Sequence, residues 1–184
     1  MSIKKYYTRE AIVIYPPVKA IDSTIKVEKK EDFYLIISRL IGYKRFDLAI
    51  QACTKLGKNL VIAGDGPEKE ALKKLAGPSI KFLGHVSDQK RLELFAQAKA
   101  FIFPAEEDFG IVPVEAMSQG TPVVAYGKGG ITESVIDGVT GVFFDRQSVK
   151  SLMEAIEKFE SIKFDSDTII AQSKKFSEHN FKTN

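Results

Sequence analysis

The segment from Pro104 to Glu115 holds the densest group of side chains that could do chemistry, and four of them are carboxylates. Three successive acids, Glu106 to Asp108, precede a helix for which Pro113 predicts the first position. With that start, Glu115 falls in the first turn, and the amides of Gly110 to Val112 lack partners within the helix. Free amides at the positive end of a helix bind anions, whereas ionised carboxylates accept hydrogen bonds from hydroxyl groups. The segment therefore predicts a site for a ligand that carries both an anionic group and hydroxyls, as a nucleotide sugar does.

Two cations, Arg39 and Lys44, bracket a loop that follows the first predicted strand. Two positive charges suit a diphosphate. Exposed Arg and Lys are also common on any protein surface, so a solvated loop is the alternative interpretation. His85 follows the third predicted strand, where a surface or structural residue is favoured over a catalyst.

Alternating strands and helices from Phe33 onward must position these loops. The predicted strands are Phe33–Ile37, Asn59–Ala63, Ile80–Leu83, Ala100–Phe103, Pro122–Ala125 and Val142–Phe144. Helical patterns lie between them, including one that Asp88 caps and one from Pro113 to Gln119. The alternation indicates an α/β fold with a doubly wound parallel Rossmann-like sheet in the order 3-2-1-4-5-6. Ligands bind such a sheet at the carboxyl ends of its strands, so the loops above are expected to share one edge.

Two glycine-rich loops give weaker signals. Gly64-Asp65-Gly66 lacks the third glycine of the dinucleotide fingerprint, which favours a plain turn between strand and helix. No G-x-G-x-x-G follows the first strand, which counts against NAD or FAD. Gly127-Lys128-Gly129-Gly130 either lets the backbone approach a ligand or forms a flexible turn.

Composition narrows the class of protein. A length of 184 residues, 44% hydrophobic, fits one folded domain. The single cysteine, Cys53, excludes an internal disulfide and a Cys-rich zinc site, and suits a reducing cytoplasm. With His85 and His179 as the only histidines, and no nucleophile elbow or Walker loop, hydrolytic and P-loop chemistry is not indicated.

The net charge of +3 is concentrated near the start of the chain. Residues 1–30 carry seven Lys or Arg and three acids, so the remainder is close to neutral. No basic face interleaved with aromatics is visible, and we expect no nucleic-acid partner. The apolar runs are too short to cross a bilayer, and no signal peptide is expected. Ala11–Tyr15 has the composition of a strand, which is either an edge strand or the end of a preceding domain.

The order and spacing of several motifs resemble the family 4 (group 1) retaining glycosyltransferases. The segment from Phe103 to Ala125 is similar to the E-x7-E signature of that family. Further motifs in register are Ser38-Arg39-Leu40 with Lys44, Gly64–Glu68, Phe82–Asp88, Gly129–Glu133 and Asp137–Gly141. The resemblance covers about residues 33–160.

This resemblance implies one lobe of a two-lobed GT-B enzyme, the carboxyl-terminal lobe that binds the nucleotide-sugar donor. It implies that Arg39 and Lys44 hold the diphosphate, that Glu107 binds the transferred sugar and that Glu115 binds the ribose. Glu107, Arg39 and Lys44 would be the catalytic residues. The further donor contacts that it implies are His85 and Val86 at the base, and Asp108, Phe109, Gly110, Ile111 and Val112 at the sugar and phosphates. The family needs no metal, so we expect none, and no other cofactor.

Two departures from the family pattern stand out. Asp108 occupies a position that is usually Gly, and so does Arg45. The Glu106–Phe109 segment, with Tyr126–Gly130 downstream, resembles the mannosyltransferase branch that builds surface polysaccharides or glycolipids, which favours GDP-mannose as donor.

The expected organisation has three parts. Residues 1–30 would end the acceptor lobe and form the linker, residues 31–160 would bind the donor, and residues 161–184 would form a helix that packs back on the missing acceptor lobe. On this interpretation the chain alone is inactive, and the full enzyme is cytoplasmic with a possible peripheral contact to the inner face of the membrane. The alternatives are a stand-alone nucleotide-sugar binding module and a sugar-nucleotide epimerase.

Overall fold

The central sheet of the protein has six parallel strands. A computed structural model describes Thr8, residues 13–18, Ile25, Val27 and residues 29–183. The strands are β1 (Tyr34–Ile37), β2 (Leu60–Ala63), β3 (Ile80–Gly84), β4 (Ala100–Phe103), β5 (Val123–Tyr126) and β6 (Gly141–Phe144). Their order is β3-β2-β1-β4-β5-β6, with every neighbouring pair parallel. The predicted doubly wound Rossmann-like sheet and its strand order are confirmed.

Helices cover both faces of this sheet. They are α1 (Phe46–Leu56), α2 (Lys69–Leu75), α3 (Asp88–Gln97), α4 (Ile111–Ser118), α5 (Ile131–Ser134), α6 (Val149–Glu160), α7 (Ser166–Ser173) and α8 (Glu178–Thr183). Alternate strand residues point to opposite faces, so Ile36 packs in the layer of α1, α2 and α6, while Leu35 packs in the layer of α3, α4, α5 and α7. Burial on both faces explains why β1, β4 and β5 read as continuous apolar runs, whereas the edge strand β3 is only partly buried and contains Lys81. Cys53 is fully buried in the first layer.

The start of α4 differs from the prediction. The helix begins at Ile111, so Pro113 is its third residue and Glu115 lies beyond the first turn. Gly110 caps it in the left-handed conformation, with φ 84°, which glycine adopts at little cost. Pro113 still fits because the first turn of a helix needs no internal N–H donors.

Smaller differences lie at other helix ends. Ser87, not Asp88, caps α3, because its hydroxyl oxygen accepts a hydrogen bond from the amide of Lys90 at 3.2 Å. The short helix α5 and a 3-10 turn at Gly42–Lys44 were not predicted. Both are a single turn or less, too short to show a hydrophobic period.

The carboxyl-terminal segment packs on the domain itself. Ile169 of α7 is fully buried in the layer that contains α4, and a 3-10 turn at Lys174–Phe176 buries Phe176. The expected return of residues 161–184 to an acceptor lobe stays a prediction.

The beginning of the chain is described only in part. Residues 13–15 of the predicted Ala11–Tyr15 strand lie outside any strand, and Ala11 and Ile12 fall outside the described residues, as does most of the basic leader in residues 1–30. Within the described ranges, no helix has the length and apolar character needed to cross a bilayer.

Candidate functional site

The loops after β1 and β4 meet because these two strands are neighbours in the sheet although they are distant in sequence. Lys44, at the end of the β1 loop, forms an ion pair with Glu107 of the β4 loop. Both side chains are mostly buried, at 15% and 23% exposed, so the pair is shielded from water more than a surface pair is. The structure thus brings together a cation and a carboxylate that the sequence placed on separate loops.

A cavity of about 480 Å³ opens beside this ion pair. We call it the acidic-loop cavity; its lining residues are Pro16, Tyr43, Glu106, Glu107, Asp108, Phe109, Gly110, Ile111 and Val112. It therefore gathers the β4-loop residues that the sequence assigned to donor binding. The first residues of α4 form one wall, and their amides lie where a helix has its positive end.

A second cavity, of about 370 Å³, lies on the β3 side of the same edge. We call it the β3-side cavity; it is lined by Ile37, Ser38, Arg39, Gly64, Asp65, His85, Val86, Asp88 and Arg91. Arg39, His85 and Val86 were assigned to one ligand from the sequence, and the structure places them around one space. Neither Arg39 nor His85 is buried.

Arg91 and Asp88 are lining residues that the sequence analysis missed. Both belong to the first turn of α3, directly after the β3 loop, and that position at the ligand edge was the available signal. Their guanidinium and carboxylate lie 3.3 Å apart. Charges of both signs therefore line this cavity.

Glu115 lies behind these residues, with its side chain only 10% exposed and its Oε1 3.3 Å from Arg91. Burial raises the pKa of Glu115, the charge of Arg91 works against that rise, and Asp88 adds to it. The Glu115 Oε2 and the Arg91 Nε are buried without a hydrogen-bond partner within the described part of the chain. An unpaired buried acceptor costs free energy, so Glu115 has an unmet capacity to accept a hydrogen bond.

The Gly127–Gly130 loop packs against the backbone of the β4 loop. A Cβ on Gly129 would lie 2.4 Å from the carbonyl oxygen of Glu107, and one on Gly130 would lie 2.0 Å from that of Asp108. The amide of Gly130 donates to the Glu107 carbonyl at 2.8 Å. The sequence had suggested either an approach to a ligand or a flexible turn for this loop. The close contact with the β4-loop backbone was not predicted.

The Gly64–Gly66 turn supports the β1 loop in the same way. A Cβ on Gly64 would lie 1.9 Å from the Ser38 carbonyl oxygen, and one on Gly66 would lie 2.4 Å from that of Leu40. Its glycines are needed for close packing of one loop on another.

The departures from the family pattern have different structural consequences. Arg45 has φ 54°, a left-handed conformation in which glycine is unstrained. Its guanidinium makes two hydrogen bonds of 3.1 Å to Asp47, which hold it there. Asp108 is exposed and does not have a positive φ, so its backbone does not require glycine.

Comparison with known proteins gives the class of protein. Residues 18–176 match the model of the family "Glycosyl transferases group 1". The chain belongs to this family of glycosyltransferases.

Three curated relatives illustrate its range. Glycogen synthase of Mycobacterium tuberculosis is 35% identical over 133 residues, covering 66% of this chain and 32% of that protein. The alpha-1,3/1,6-mannosyltransferase ALG2 of Homo sapiens is 32% identical over 180 residues, covering 80% of this chain and 43% of the relative. The GDP-mannose-dependent alpha-(1-6)-phosphatidylinositol monomannoside mannosyltransferase of Mycobacterium tuberculosis is 33% identical over 138 residues, with coverages of 65% and 36%. The chain thus spans less than half the length of these relatives.

Solved structures agree on the fold. The lipopolysaccharide outer core galactosyltransferase WaaB matches with a TM-score of 0.80 at 20% identity, over 94% of this chain and 53% of its own. Anabaena Alr3699/HepE, solved in complex with UDP-glucose, matches with a TM-score of 0.70 at 26% identity, over 83% and 47%. The fold is the Rossmann-like lobe of a GT-B glycosyltransferase. The comparisons lend no support to the stand-alone binding module or the epimerase.

Proposed function

We propose that this chain is the donor-binding lobe of a retaining glycosyltransferase of family 4, and that its nucleotide-sugar donor lies across the two cavities. The observation that carries the proposal is the Lys44–Glu107 ion pair, at the crossing of the β1 and β4 loops beside the amino end of α4. A cation, a carboxylate and free helix amides at one point match the mixed chemistry of a sugar diphosphate.

The nucleoside end of the donor fits the β3-side cavity. His85 and Val86 would border the base, and the unpaired Oε2 of Glu115 would accept a hydrogen bond from a ribose hydroxyl. Such a bond would remove the free-energy cost of leaving this buried acceptor unpaired, a cost that is present in the protein without donor.

The diphosphate and the sugar would extend from there into the acidic-loop cavity. Arg39 and Lys44 would hold the phosphates, and Glu107 would accept hydrogen bonds from the sugar once Lys44 turns to the phosphate. The β4-loop residues Asp108 to Val112 would border the sugar and phosphates. Cations and helix amides aimed at the departing diphosphate stabilise the charge that develops there, which is how this site would lower the barrier.

We expect this stabilisation to need no metal ion. In the described ranges, no three side chains of His, Cys, Asp or Glu are grouped as metal ligands. The expectation rests on the cations Arg39 and Lys44, whose positions suit the charge that a metal would otherwise neutralise.

GDP-mannose is the donor that we propose. Two of the three relatives above are mannosyltransferases by name, and one is GDP-mannose-dependent by name. The structure of Alr3699/HepE in complex with UDP-glucose makes UDP-glucose a competing donor to be tested. Acceptor recognition would belong to an amino-terminal lobe. The 184-residue chain should therefore bind donor but transfer no sugar, and robust transfer by this chain would overturn that part of the proposal.

A cytoplasmic site of action, with peripheral membrane contact, is part of the same proposal.

Titration calorimetry with GDP-mannose, UDP-glucose and ADP-glucose tests the donor assignment. We expect the tightest binding with GDP-mannose and a roughly tenfold loss for Arg39→Ala, the scale of a charge-assisted contact to phosphate. Arg146→Ala is the matched control, because Arg146 is exposed beyond β6 and lines neither cavity. Absence of binding to all three donors, or equal effects of the two Arg variants, would refute the site.

A further inference from the structure

Three aromatic rings form a cluster beside the acidic-loop cavity, and they come from three distant parts of the chain. Tyr15 precedes the sheet, Phe109 belongs to the β4 loop, and Phe176 follows α7. The ring centroids lie 5.8 Å apart for Tyr15 and Phe109, 5.2 Å for Tyr15 and Phe176, and 5.4 Å for Phe109 and Phe176. Each pair is at a distance at which aromatic rings attract each other. We call these three residues the aromatic triad.

Buried aliphatic residues anchor the triad to the domain. Val18 and Val114 are buried against Phe176, and the amide of Val18 donates to the Phe176 carbonyl oxygen at 2.9 Å. Val114 belongs to α4, the helix whose amino end forms one wall of the site. The segment before the sheet and the segment after α7 therefore meet directly on the element that carries the site.

The segment around Tyr15 also touches the site itself. Pro16 lines the acidic-loop cavity, next to Phe109 and Gly110. Interaction with Glu133 of α5, together with burial, raises the pKa of Tyr15. The helix α5 follows the Gly129–Gly130 turn, which packs on the Glu107 backbone. Tyr15 therefore interacts both with Phe109 of the β4 loop and with the helix that continues from this turn.

We infer that Tyr15 and Phe176 are positioning residues that hold the β4 loop, and with it Glu107, in the geometry that binds the sugar of the donor. The inference rests on the proposed function for its ligand, but the contacts that carry it are independent of any ligand. Besides the triad, the Lys44–Glu107 ion pair and the hydrogen bond from the Gly130 amide to the Glu107 carbonyl oxygen hold the loop before α4. Neither of these contacts acts on the Phe109 side chain, which packs on the other two rings of the triad. The β3-side cavity has no triad residue in its lining, so the nucleoside end of the donor should be indifferent to the triad.

Hydrogen–deuterium exchange of the ligand-free 184-residue chain tests the positioning directly. In Phe176→Leu, we expect the amides of residues 104–112 to exchange at least about threefold faster, because a lost ring contact lowers local stability. Phe164→Leu is the matched control: Phe164 stacks on Phe159 at 5.0 Å but lies away from the site, so it should leave residues 104–112 unchanged. Unchanged exchange of residues 104–112 in Phe176→Leu would overturn the inference.

Binding measurements separate positioning from general destabilisation. Phe176→Leu and Tyr15→Ala should weaken GDP-mannose by roughly threefold to tenfold, the scale of one aromatic pair, while GMP binds as in the parent chain. Tyr15→Phe keeps the ring and should retain most of the affinity. Equal losses for GMP and GDP-mannose would overturn the inference, because they would show a global effect.

The two proposals fail in different ways. If the parent chain binds no nucleotide sugar, the proposed function is lost, and the exchange experiment still decides whether the triad holds the loop. If donor binds but the exchange of residues 104–112 does not respond to Phe176→Leu, the function stands and the positioning role is refuted.

Discussion

Arg91 of α3 and Glu115 of α4 form an ion pair at 3.3 Å in which, among the residues that the structure describes, each partner keeps one buried polar atom without a hydrogen bond. The pair joins two helices that lie on the same face of the sheet and meet behind the β3-side cavity. A buried charge is costly unless it is paired, so Arg91 is the group that allows Glu115 to stay ionised there.

Replacement of Arg91 by Met should destabilise the chain in a pH-dependent manner. Burial already raises the pKa of Glu115, and loss of the cation raises it further. Stability from such a carboxyl is fully present below its unfolded-state pKa of about 4.3 and is lost as pH rises through the folded-state value. We therefore expect a loss of about 1–3 kcal/mol in the free energy of unfolding at pH 8, and a smaller loss at pH 5, by urea denaturation.

The double variant Arg91→Met with Glu115→Gln is the control for this prediction. It removes the stranded charge, so most of the pH 8 loss should be recovered. A loss of equal size at pH 5 and pH 8 would contradict the assigned role of Glu115.

Glu107→Gln should separate sugar binding from diphosphate binding. The substitution releases Lys44 from its ion pair, so GDP should bind as well as before or more tightly. GDP-mannose should bind roughly tenfold more weakly, because the amide is a poorer acceptor for the sugar hydroxyls. Calorimetry with both ligands measures the difference.

Lys44→Met is the matched variant on the other side of the pair, and it should weaken GDP and GDP-mannose alike. If Glu107→Gln reduces GDP affinity as much as GDP-mannose affinity, Glu107 does not face the sugar.

Gly130→Ala should displace the β4 loop. Gly130 has φ −67°, which alanine adopts freely, so the only obstacle is its Cβ, 2.0 Å from the Asp108 carbonyl oxygen. Relief requires backbone movement, and we expect a loss of about 2 kcal/mol in thermal or urea unfolding together with weaker GDP-mannose binding. Gly42→Ala is the control, because the nearest atom to its added Cβ is the carboxylate at the end of the Glu68 side chain, at 3.1 Å, and not backbone. Similar stability losses in the two variants would argue against the loop contact.

Glu160→Gln should lower the free energy of unfolding most near neutral pH. Burial alone would raise the pKa of Glu160, but hydrogen bonds from Lys99, Tyr34 and Lys58 outweigh it and lower the pKa to about 2. Stability from this depressed pKa is present above the unfolded-state value of about 4.3 and is lost as pH falls towards 2. We expect Glu160→Gln to lose about 1–2 kcal/mol at pH 7, since water partly screens a side chain that is 27% exposed.

Thermal unfolding at a series of pH values from 7 down to 2.5 measures this effect. The difference between Glu160→Gln and the parent chain should narrow steadily on acidification, and a constant difference would show that the ion pairs are not its source.

The fold could be predicted from the sequence because β1, β4 and β5, at the centre of the sheet, are buried at every position. Runs such as Ala100–Phe103 are apolar at every position, and the helices between them leave only a parallel sheet. The start of α4 was misplaced because Pro113 is tolerated anywhere in the first turn, whereas Gly110 sets the start through a backbone angle that composition does not reveal.

The sequence predicted the site residues that follow the ends of strands. It did not predict those whose role depends on a contact between two helices or two distant loops. Arg39, Lys44, His85 and Glu107 follow strands, and topology alone brings them to one edge. The place of Arg91 directly after the β3 loop could have marked it as a lining residue. Its pairing with Glu115 was missed because Glu115 is on another helix, and the sequence does not show which side chains of two helices touch. The role of Gly129 and Gly130 was missed for the same reason, since their neighbour is the backbone of a distant loop.

The burial of Cys53 has a practical consequence for measuring this molecule. Burial raises the pKa of its thiol to about 12, so very little of the reactive thiolate forms at neutral pH. A cysteine introduced at an exposed position, such as Asp108 beside the acidic-loop cavity or Arg146 beyond β6, would therefore be the one thiol that maleimide reagents modify quickly in the folded chain. Fluorescent or spin labels could be attached there without first removing the native residue, which leaves the packing of α1 against the sheet intact.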